Sequence, residues 1–349
     1  MIKIDPVQLT RQLVDIESVT FNEGDVGTFI AGFLEERGFQ VERTTVPQAE
    51  PDAAQSLRPG RNAERFNVYA GAAERPDVVL STHMDTVPPF IPSREDETFI
   101  YGRGSCDAKG IMAAQIAAAE RLRESGVKVG LLFLVGEERD SAGAKVANLH
   151  PKGSRFLING EPTENRLAVA SKGALRAEIR AHGTMAHSAY PELGESAIDK
   201  LIEALHRVLS IPLPSVEDGG ASTLNIGVIE GGHAPNVIAD FARALLLVRL
   251  VGPSEETRRE IQAAVAGLAE VEFTLEIPFI RMKRIEGLET MVAAFTTDIP
   301  ALSNWGEPLL LGPGSIRVAH TPHERLAKED LHRAVELYTQ IASRLVGQS

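Results

Sequence analysis

The first part of the chain alternates between two patterns of hydrophobic positions. Almost wholly apolar runs, at residues 78–80 and 127–135, are typical of strands that are covered on both faces of a sheet. Before and between these runs, apolar side chains recur at helical spacing, first at Leu9 and Leu13 and later in the Ala-rich segment after Ile111. Strands that alternate with helices predict an α/β fold with a mostly parallel, helix-covered sheet.

The pattern changes near Ser171. From there, segments with strict alternation and segments with helical spacing follow in turn: residues 175–181, 197–209, 224–228, 238–250, 255–268 and 271–277. Their order, β-α-β-β-α-β, is that of a ferredoxin-like unit. We therefore predict an inserted domain at residues 173–281, within a catalytic domain made of residues 1–172 and 282–349.

The remaining segments belong to the predicted catalytic domain. Helical spacing returns at residues 288–295, an apolar run at 309–311 predicts a strand, and residues 331–346 have an amphipathic helical pattern. Residues 47–62 are polar and contain closely spaced prolines and a glycine, which predicts a surface loop.

Side chains that commonly bind metal ions stand at five places after a predicted strand or in a loop: His83 with Asp85, Asp107, Glu137 with Glu138, Glu161, and His320. Open α/β sheets place their ligand sites outside the carboxyl ends of the strands. Imidazole and carboxylate ligands without a thiolate suit zinc, cobalt or manganese. One such residue alone is explained as well by a turn or a helix cap, but five places together favour a metal site.

Composition narrows the class of protein. The chain has 349 residues, 43% hydrophobic and 24% charged, which suits a globular protein of two domains. A formal net charge of −12 argues against nucleic-acid binding, and the single cysteine excludes an internal disulfide and a cysteine-based metal site. No apolar run approaches the ~20 residues of a membrane span and the first residues show no signal-peptide pattern, so we expect a cytoplasmic protein.

Six blocks of the sequence resemble the successive motifs of one enzyme family. They include the Ser-Thr-His-Met-Asp-Thr-Val-Pro segment and the Gly-rich loop around Asp107, and they lie at residues 81–88, 102–110, 136–138, 160–163, 231–238 and 312–322. The family is the zinc amidohydrolases that include acetylornithine deacetylase, succinyl-diaminopimelate desuccinylase, aminoacylase and carboxypeptidase G. The order and spacing agree over nearly the whole chain, and the last block most resembles the acetylornithine deacetylase branch.

This resemblance implies a centre with two divalent metal ions, zinc being expected and cobalt or manganese being the alternatives. Asp107 would bridge the two ions. His83 and Glu161 would complete the ligand set of one ion, and Glu138 and His320 would complete that of the other. The resemblance also implies a cis peptide bond between Asp107 and Ala108.

Further roles follow from the same resemblance. Glu137 would be the general base, because it adjoins a metal ligand and stays free to act on the attacking water. Asp85 would be the carboxylate that orients His83. His187 would reach the active site of the partner subunit in a homodimer formed through the inserted domain, and would stabilise the oxyanion.

Three residues match positions that bind the carboxylate and the amide of the substrate: Asn236, Arg249 and Gly314. A guanidinium suits a carboxylate partner. Two positions depart from the family pattern, since His323 stands where Asp is usual and Val248 precedes Arg249. His323 creates an alternative to His320, and we choose His320 because the Ala-His-x-Pro frame aligns there.

Three functions are compatible with these residues. The first is a two-metal hydrolase that cleaves the amide bond of an N-acyl amino acid, in the manner of a deacetylase. The second is a dipeptidase or carboxypeptidase on the same centre, since only the acyl pocket separates the two. The third is a catalytically silent relative that binds a small acidic ligand or acts as a dimerising partner, and the retention of Glu137, His187 and all five ligands argues against it.

Overall fold

A computed structural model describes residues 3–47, 64–71, 75–217 and 219–347. The chain divides into two compact units. The first consists of Met1–Val169, Met282–Met291 and Thr297–Ser349, and the second of Ala170–Arg281 and Val292–Thr296. The sequence placed all of residues 282–349 in the catalytic domain, whereas residues 292–296 group with the second unit. The surface loop expected at residues 47–62 lies, apart from Pro47, outside the described residues.

The described residues form seven α-helices: α1 (Pro6–Val14), α2 (Gly24–Glu36), α3 (Lys109–Glu124), α4 (Ala142–Asn148), α5 (Ala197–Leu209), α6 (Glu255–Val265) and α7 (Lys328–Gly347). Local chemistry explains where several of them begin. Asp5 caps α1, because its carboxylate accepts the N–H groups of Val7 and Gln8, and Pro6 occupies the first turn. Ser196 caps α5 in the same way. None of the helices in the described ranges combines the length and the apolar content that a membrane span requires.

The described residues also form twenty strands: β1 (Gln40–Thr45), β2 (Phe66–Gly71), β3 (Val78–His83), β4 (Arg94–Glu95), β5 (Phe99–Tyr101), β6 (Val129–Leu134), β7 (Phe156–Asn159), β8 (Leu167–Ser171), β9 (Gly173–His182), β10 (Ala186–His187), β11 (Ser215–Val216), β12 (Gly220–Ala221), β13 (Thr223–Gly231), β14 (Val237–Ile238), β15 (Phe241–Leu250), β16 (Glu270–Ile277), β17 (Ile280–Arg281), β18 (Thr290–Ala293), β19 (Glu307–Leu310) and β20 (Arg325–Ala327).

The first unit is built on a sheet with the strand order β1-β2-β6-β3-β7-β19-β8. The four central strands, β6, β3, β7 and β19, are parallel, and the outer pairs are antiparallel. Every residue of β3, β6 and β7 is buried. The main apolar core joins these strands to α1, α2, α3 and α7. The predicted helix-covered sheet with parallel strands is therefore confirmed, and its parallel strands are the central ones.

The second unit contains an antiparallel four-stranded sheet with the order β13-β15-β9-β16. The four strands of this sheet and the two α-helices of the unit occur in the order β9, α5, β13, β15, α6 and β16, which is the ferredoxin-like order that the sequence predicted. Inward-facing side chains of β9 and β15 pack with α5 and α6 in a separate apolar core.

The helical pattern at residues 288–295 was a wrong prediction. Thr290–Ala293 forms strand β18 beside β8, where the Lys172 N–H donates to the Ala293 carbonyl and the Leu167 N–H donates to the Glu289 carbonyl, both at 2.9 Å. A short apolar run fits a buried strand and a helical segment equally well, and the partner strand decides between them.

Candidate metal centre

The parallel strands bring the predicted ligands to one edge of the first unit's sheet. His83 is the last residue of β3, Glu138 follows β6, and Glu161 follows β7. Because these strands are parallel neighbours, their carboxyl ends lie side by side. Asp107 precedes α3, and His320 lies in the turn between β19 and β20.

Two groups of ligand atoms share Asp107. The ligand atoms of His83, Asp107 and Glu161 lie within 4.8 Å of one another, and so do those of Asp107, Glu138 and His320. The two oxygens of Asp107 face different histidines: Oδ1 lies 3.0 Å from Nε2 of His83, and Oδ2 lies 3.3 Å from Nε2 of His320. His320 Nε2 also lies 3.0 Å from Glu138 Oε1. A carboxylate placed in this way can bridge two cations.

The chemistry of these side chains fits two divalent metal ions. Each group offers one imidazole nitrogen and two carboxylates, with no thiolate, which suits zinc and similar ions. His83, Asp107 and Glu161 are buried, whereas the side chain of His320 is 48% exposed. The arrangement is thus closed on the His83 side and accessible on the His320 side.

The tautomer of His83 is fixed by a backbone group. Nδ1 of His83 lies 2.9 Å from the backbone carbonyl oxygen of Asp85, whereas the nearest carboxylate oxygen of Asp85 is 3.6 Å away. Because a carbonyl oxygen only accepts, Nδ1 carries a hydrogen, and Nε2 is the ring nitrogen that faces Asp107 and could bind a metal ion. The sequence predicts this role for the carboxylate of Asp85, and the carbonyl oxygen of the same residue makes the shorter contact with Nδ1.

The carboxylate of Asp85 holds the loop that follows β6. Its Oδ1 accepts the N–H of Glu137 at 3.1 Å, and its Oδ2 accepts the N–H of Glu138 at 3.2 Å and the hydroxyl of Thr20 at 2.8 Å. Asp85 is fully buried. These bonds fix the backbone from which the Glu137 and Glu138 side chains leave.

Electrostatics within the cluster favour bound cations. Burial and the neighbouring carboxylate of Glu161 raise the pKa of Glu137 well above its ordinary value, and burial and Asp107 do the same to the pKa of Glu161. Hydrogen bonds to Asp107 and Glu138 raise the pKa of His320 to about 10. Crowded, buried carboxylates of this kind are stabilised by the charge of a metal ion.

Asp107 keeps its charge in these surroundings. Burial disfavours its ionised form, but hydrogen bonds with His320 and His83 outweigh this effect and hold the pKa of Asp107 below its ordinary value. The Asp107–Ala108 peptide bond is cis, as the family resemblance implied.

Three of the predicted residues lie in the second unit. His187 is exposed on β10, opposite Val237 of β14, and its Nδ1 accepts the N–H of Ala189 at 3.1 Å. Asn236 lies just before β14, where its carbonyl accepts the N–H of Ser188 at 3.0 Å. The structure therefore brings the His187 and Asn236 segments together.

Arg249 and Gly314 lie in different surroundings. Arg249 is half-buried on β15, opposite Ala174 of β9, and burial lowers its pKa. Gly314 belongs to the first unit, where its carbonyl accepts the N–H of Glu164 at 2.7 Å. It has a φ of 78°, and a Cβ atom there would lie 2.5 Å from Sγ of Cys106, so only glycine fits.

Sequence reasoning missed the residues that support the ligands. Glu324 follows His323 and received no role from the sequence, yet its buried carboxylate accepts three N–H groups from the loop that carries Asp107. Thr20, bonded to Asp85, was not noted at all. The Gly-rich loop offered one signal, since a tight loop of buried N–H groups needs an acceptor from elsewhere in the chain. In the described residues His320, and not His323, lies with Asp107 and Glu138.

Comparison with known proteins agrees with this geometry. The sequence model of peptidase family M20/M25/M40 matches residues 79–344. A Peptidase M20 domain-containing protein of Schizosaccharomyces pombe is 40% identical, covering 96% of this chain and 83% of its own length. A probable carboxypeptidase of Aspergillus clavatus is 35% identical, covering 97% of this chain and 88% of its own length.

Solved structures show the same fold. The aminopeptidase PepT of Bacillus cereus matches with a TM-score of 0.77 and 20% identity, covering 98% of both chains. An M20 family metallo-carboxypeptidase of Sulfolobus solfataricus matches with a TM-score of 0.70 and 17% identity, covering 98% of this chain and 99% of its own. The predicted family is thus confirmed, and the chain belongs to peptidase family M20/M25/M40 as a metal-dependent hydrolase.

Proposed function

We propose that this protein is a two-metal hydrolase that cleaves the amide bond of a small N-acyl amino acid. The observation that carries the proposal is the pair of ligand groups that share Asp107. The acyl group is either a simple one, as in a deacetylase, or an aminoacyl group, as in a dipeptidase or carboxypeptidase. The second alternative draws support from relatives described as probable carboxypeptidases.

The five predicted ligands are assigned as follows in this proposal. His83, Asp107 and Glu161 hold one ion, and Asp107, Glu138 and His320 hold the other. Zinc is the first expectation from the donor set, with cobalt or manganese as alternatives. When bound, the ions supply Lewis acidity for the amide carbonyl and for the attacking water.

Glu137 acts as the general base. Its neighbour Glu138 belongs to a ligand group, whereas Glu137 belongs to neither group and stays free for proton transfer. Its backbone is fixed by Asp85, and burial and neighbouring carboxylates raise its pKa, so the side chain can hold a proton. Glu137 takes a proton from the attacking water and delivers it to the leaving nitrogen.

The second unit contributes substrate contacts and a dimer. His187 stabilises the oxyanion in the partner's site, while Asn236 and Arg249 bind the substrate's carboxylate and amide, as does Gly314 of the first unit. A homodimer through the second unit draws support from its exposed apolar side chains, Ile202 at 61% and Ile229 at 64% exposure. Ile229 lies on β13, which is an edge strand of its sheet.

The proposal is tested by metal analysis combined with a substrate panel. The full chain is loaded with zinc or cobalt, its metal content is measured, and it is assayed on N-acetyl amino acids, N-succinyl amino acids and dipeptides. Two metal ions per chain with hydrolysis of one class are expected, and the preferred class identifies the acyl group. A protein that binds no metal under any loading, or that binds two ions and cleaves no panel amide, contradicts the proposal.

A further inference from the structure

The loop that carries Asp107 is held by one buried carboxylate from a distant part of the chain. Oε1 of Glu324 accepts the N–H of Gly104 at 2.9 Å and those of Cys106 and Asp107 at 3.1 Å each. Glu324 is 2% exposed. One oxygen thus fixes three of the four consecutive residues that end at the shared ligand.

The rest of this loop is fastened to the same segment. The backbone carbonyl of Glu324 accepts the N–H of Gly102 at 3.2 Å. The loop turns sharply at Gly102 and Gly104, whose φ angles of 133° and 88° favour glycine. Within the loop the Ser105 N–H donates to the Gly102 carbonyl at 3.1 Å, whereas the N–H groups of Gly104, Cys106 and Asp107 find their acceptor in Glu324. The direction of the Asp107 side chain therefore depends on an acceptor outside the loop.

Arg103 connects the loop to the turn that carries His320. Its guanidinium donates to Oε2 of Glu324 at 2.5 Å and to the carbonyl of Thr321 at 3.3 Å. Thr321 follows His320, which has a left-handed φ of 63°. The ligands Asp107 and His320, which are 213 positions apart in the sequence, are therefore carried by segments that Arg103 and Glu324 join.

We propose that Glu324 is a positioning residue of the metal centre, and that its acceptor oxygen orients Asp107 toward both groups of ligands. This inference rests on the proposed two-metal function. Glu324 lies in neither ligand group, and its two oxygens accept from the Asp107 loop and from Arg103. Residues that orient metal ligands through hydrogen bonds typically change metal affinity by about 10–100-fold when they are replaced.

A purely structural role for the buried Arg103–Glu324 pair is the competing explanation. Two double variants separate the explanations. Arg103→Met with Glu324→Gln removes the ion pair but leaves a carbonyl oxygen that can accept the three N–H groups. Arg103→Met with Glu324→Met removes the ion pair and the acceptor together at similar volume, and replacement of a buried ion pair by apolar residues is often tolerated.

The readouts are the affinity for Zn²⁺, measured by competition with a chromophoric chelator on the metal-free full chain, and the visible absorption of the Co²⁺-loaded protein. Urea unfolding of the metal-free variants reports stability separately. We expect the Gln double variant to bind zinc about 10–100-fold more tightly than the Met double variant and to keep the wild-type Co²⁺ spectrum. Glu120→Gln is the control. Glu120 lies on α3, the helix that follows the Asp107 loop, and it pairs with Arg37 at 2.6 Å. Its replacement should leave both readouts unchanged.

Equal zinc affinities and equal Co²⁺ spectra in the two double variants would overturn the positioning role. If the Met double variant fails to fold, the single variant Glu324→Asp decides, since it keeps the charge that pairs with Arg103 and withdraws the acceptor oxygen from the loop by one methylene. A zinc affinity weaker than that of the wild type supports the inference, and a wild-type affinity refutes it. A wild type that binds two ions but cleaves no amide overturns only the proposed function, because the affinities of the variants still decide the role of Glu324.

Discussion

Replacing Asp85 by Asn should destabilise the protein and slow turnover, although Asp85 is assigned to no metal ion. Its two carboxylate oxygens accept the N–H groups of Glu137 and Glu138 and the hydroxyl of Thr20. Asn has one acceptor oxygen and one NH₂ donor in the same volume. One of the two backbone N–H groups would therefore face a donor inside the protein.

The size of the effect follows from these contacts. A buried donor without an acceptor costs about 1–3 kcal/mol, and the loss of the charge from the remaining bond costs about 1 kcal/mol more. We expect the free energy of unfolding to fall by about 2–4 kcal/mol. The bond from Asp85 positions the backbone of Glu137, so its loss would shift the Glu137 side chain. A displacement of that side chain by about 1 Å would lower turnover about 100-fold.

Urea unfolding of the chelator-treated protein measures the first effect, and turnover of the preferred panel substrate measures the second. Thr20→Val is the matched control, because it removes one hydrogen bond to Asp85 and leaves both backbone N–H groups paired. It should cost about 1 kcal/mol. If Asp85→Asn were as stable as Thr20→Val and turned over substrate at the wild-type rate, the proposed role of Asp85 would be wrong.

Three further predictions concern proton transfer, the second unit and pH. Glu137→Gln should keep two metal ions and lower turnover about 10²–10⁴-fold, as measured by elemental analysis and steady-state kinetics, and loss of metal would contradict its role as base. His187→Ala should lower turnover without loss of metal, and sedimentation should show a dimer; a monomer would remove the basis for its action in the partner's site. The metal-free protein should lose stability as pH rises from 5 to 7, below the range in which the buried Lys109, whose pKa burial lowers to about 7, has the opposite effect. The folded-state pKa values of His320, at about 10, and of Glu161 are raised, so their contributions are lost as pH rises toward those values. A urea midpoint that rises over this range would refute this electrostatic account.

Much of the site was predictable from local sequence. His83, Glu138 and Glu161 follow apolar runs that form buried parallel strands, so their approach follows from the sheet. Asp107 was found because a Gly-rich segment before a helix marks a tight loop. Their roles as ligands came from the resemblance and stay predictions, as do a cytoplasmic location and the identity of the metal.

The supporting contacts were not predictable in this way. Asp85 was expected to orient His83 through its carboxylate, and the carbonyl lies at hydrogen-bond distance instead. The two groups belong to one residue, and only the backbone conformation decides which of them faces the imidazole. Residues 288–295 were assigned to a helix because a short apolar run has no period that excludes a strand.

The sequence by itself determined the order of the elements, the buried strands and the ligand types at their ends, because hydrophobic periodicity and side-chain chemistry are local properties. The tertiary structure decided which acceptor serves which donor. The carboxylate of Glu324 accepts the N–H of Asp107, 217 positions away in the chain, and the carboxylate of Asp85 accepts the N–H of Glu138, 53 positions away. Such pairings depend on the packing of segments that are distant in the chain, and no local pattern encodes their distance or direction.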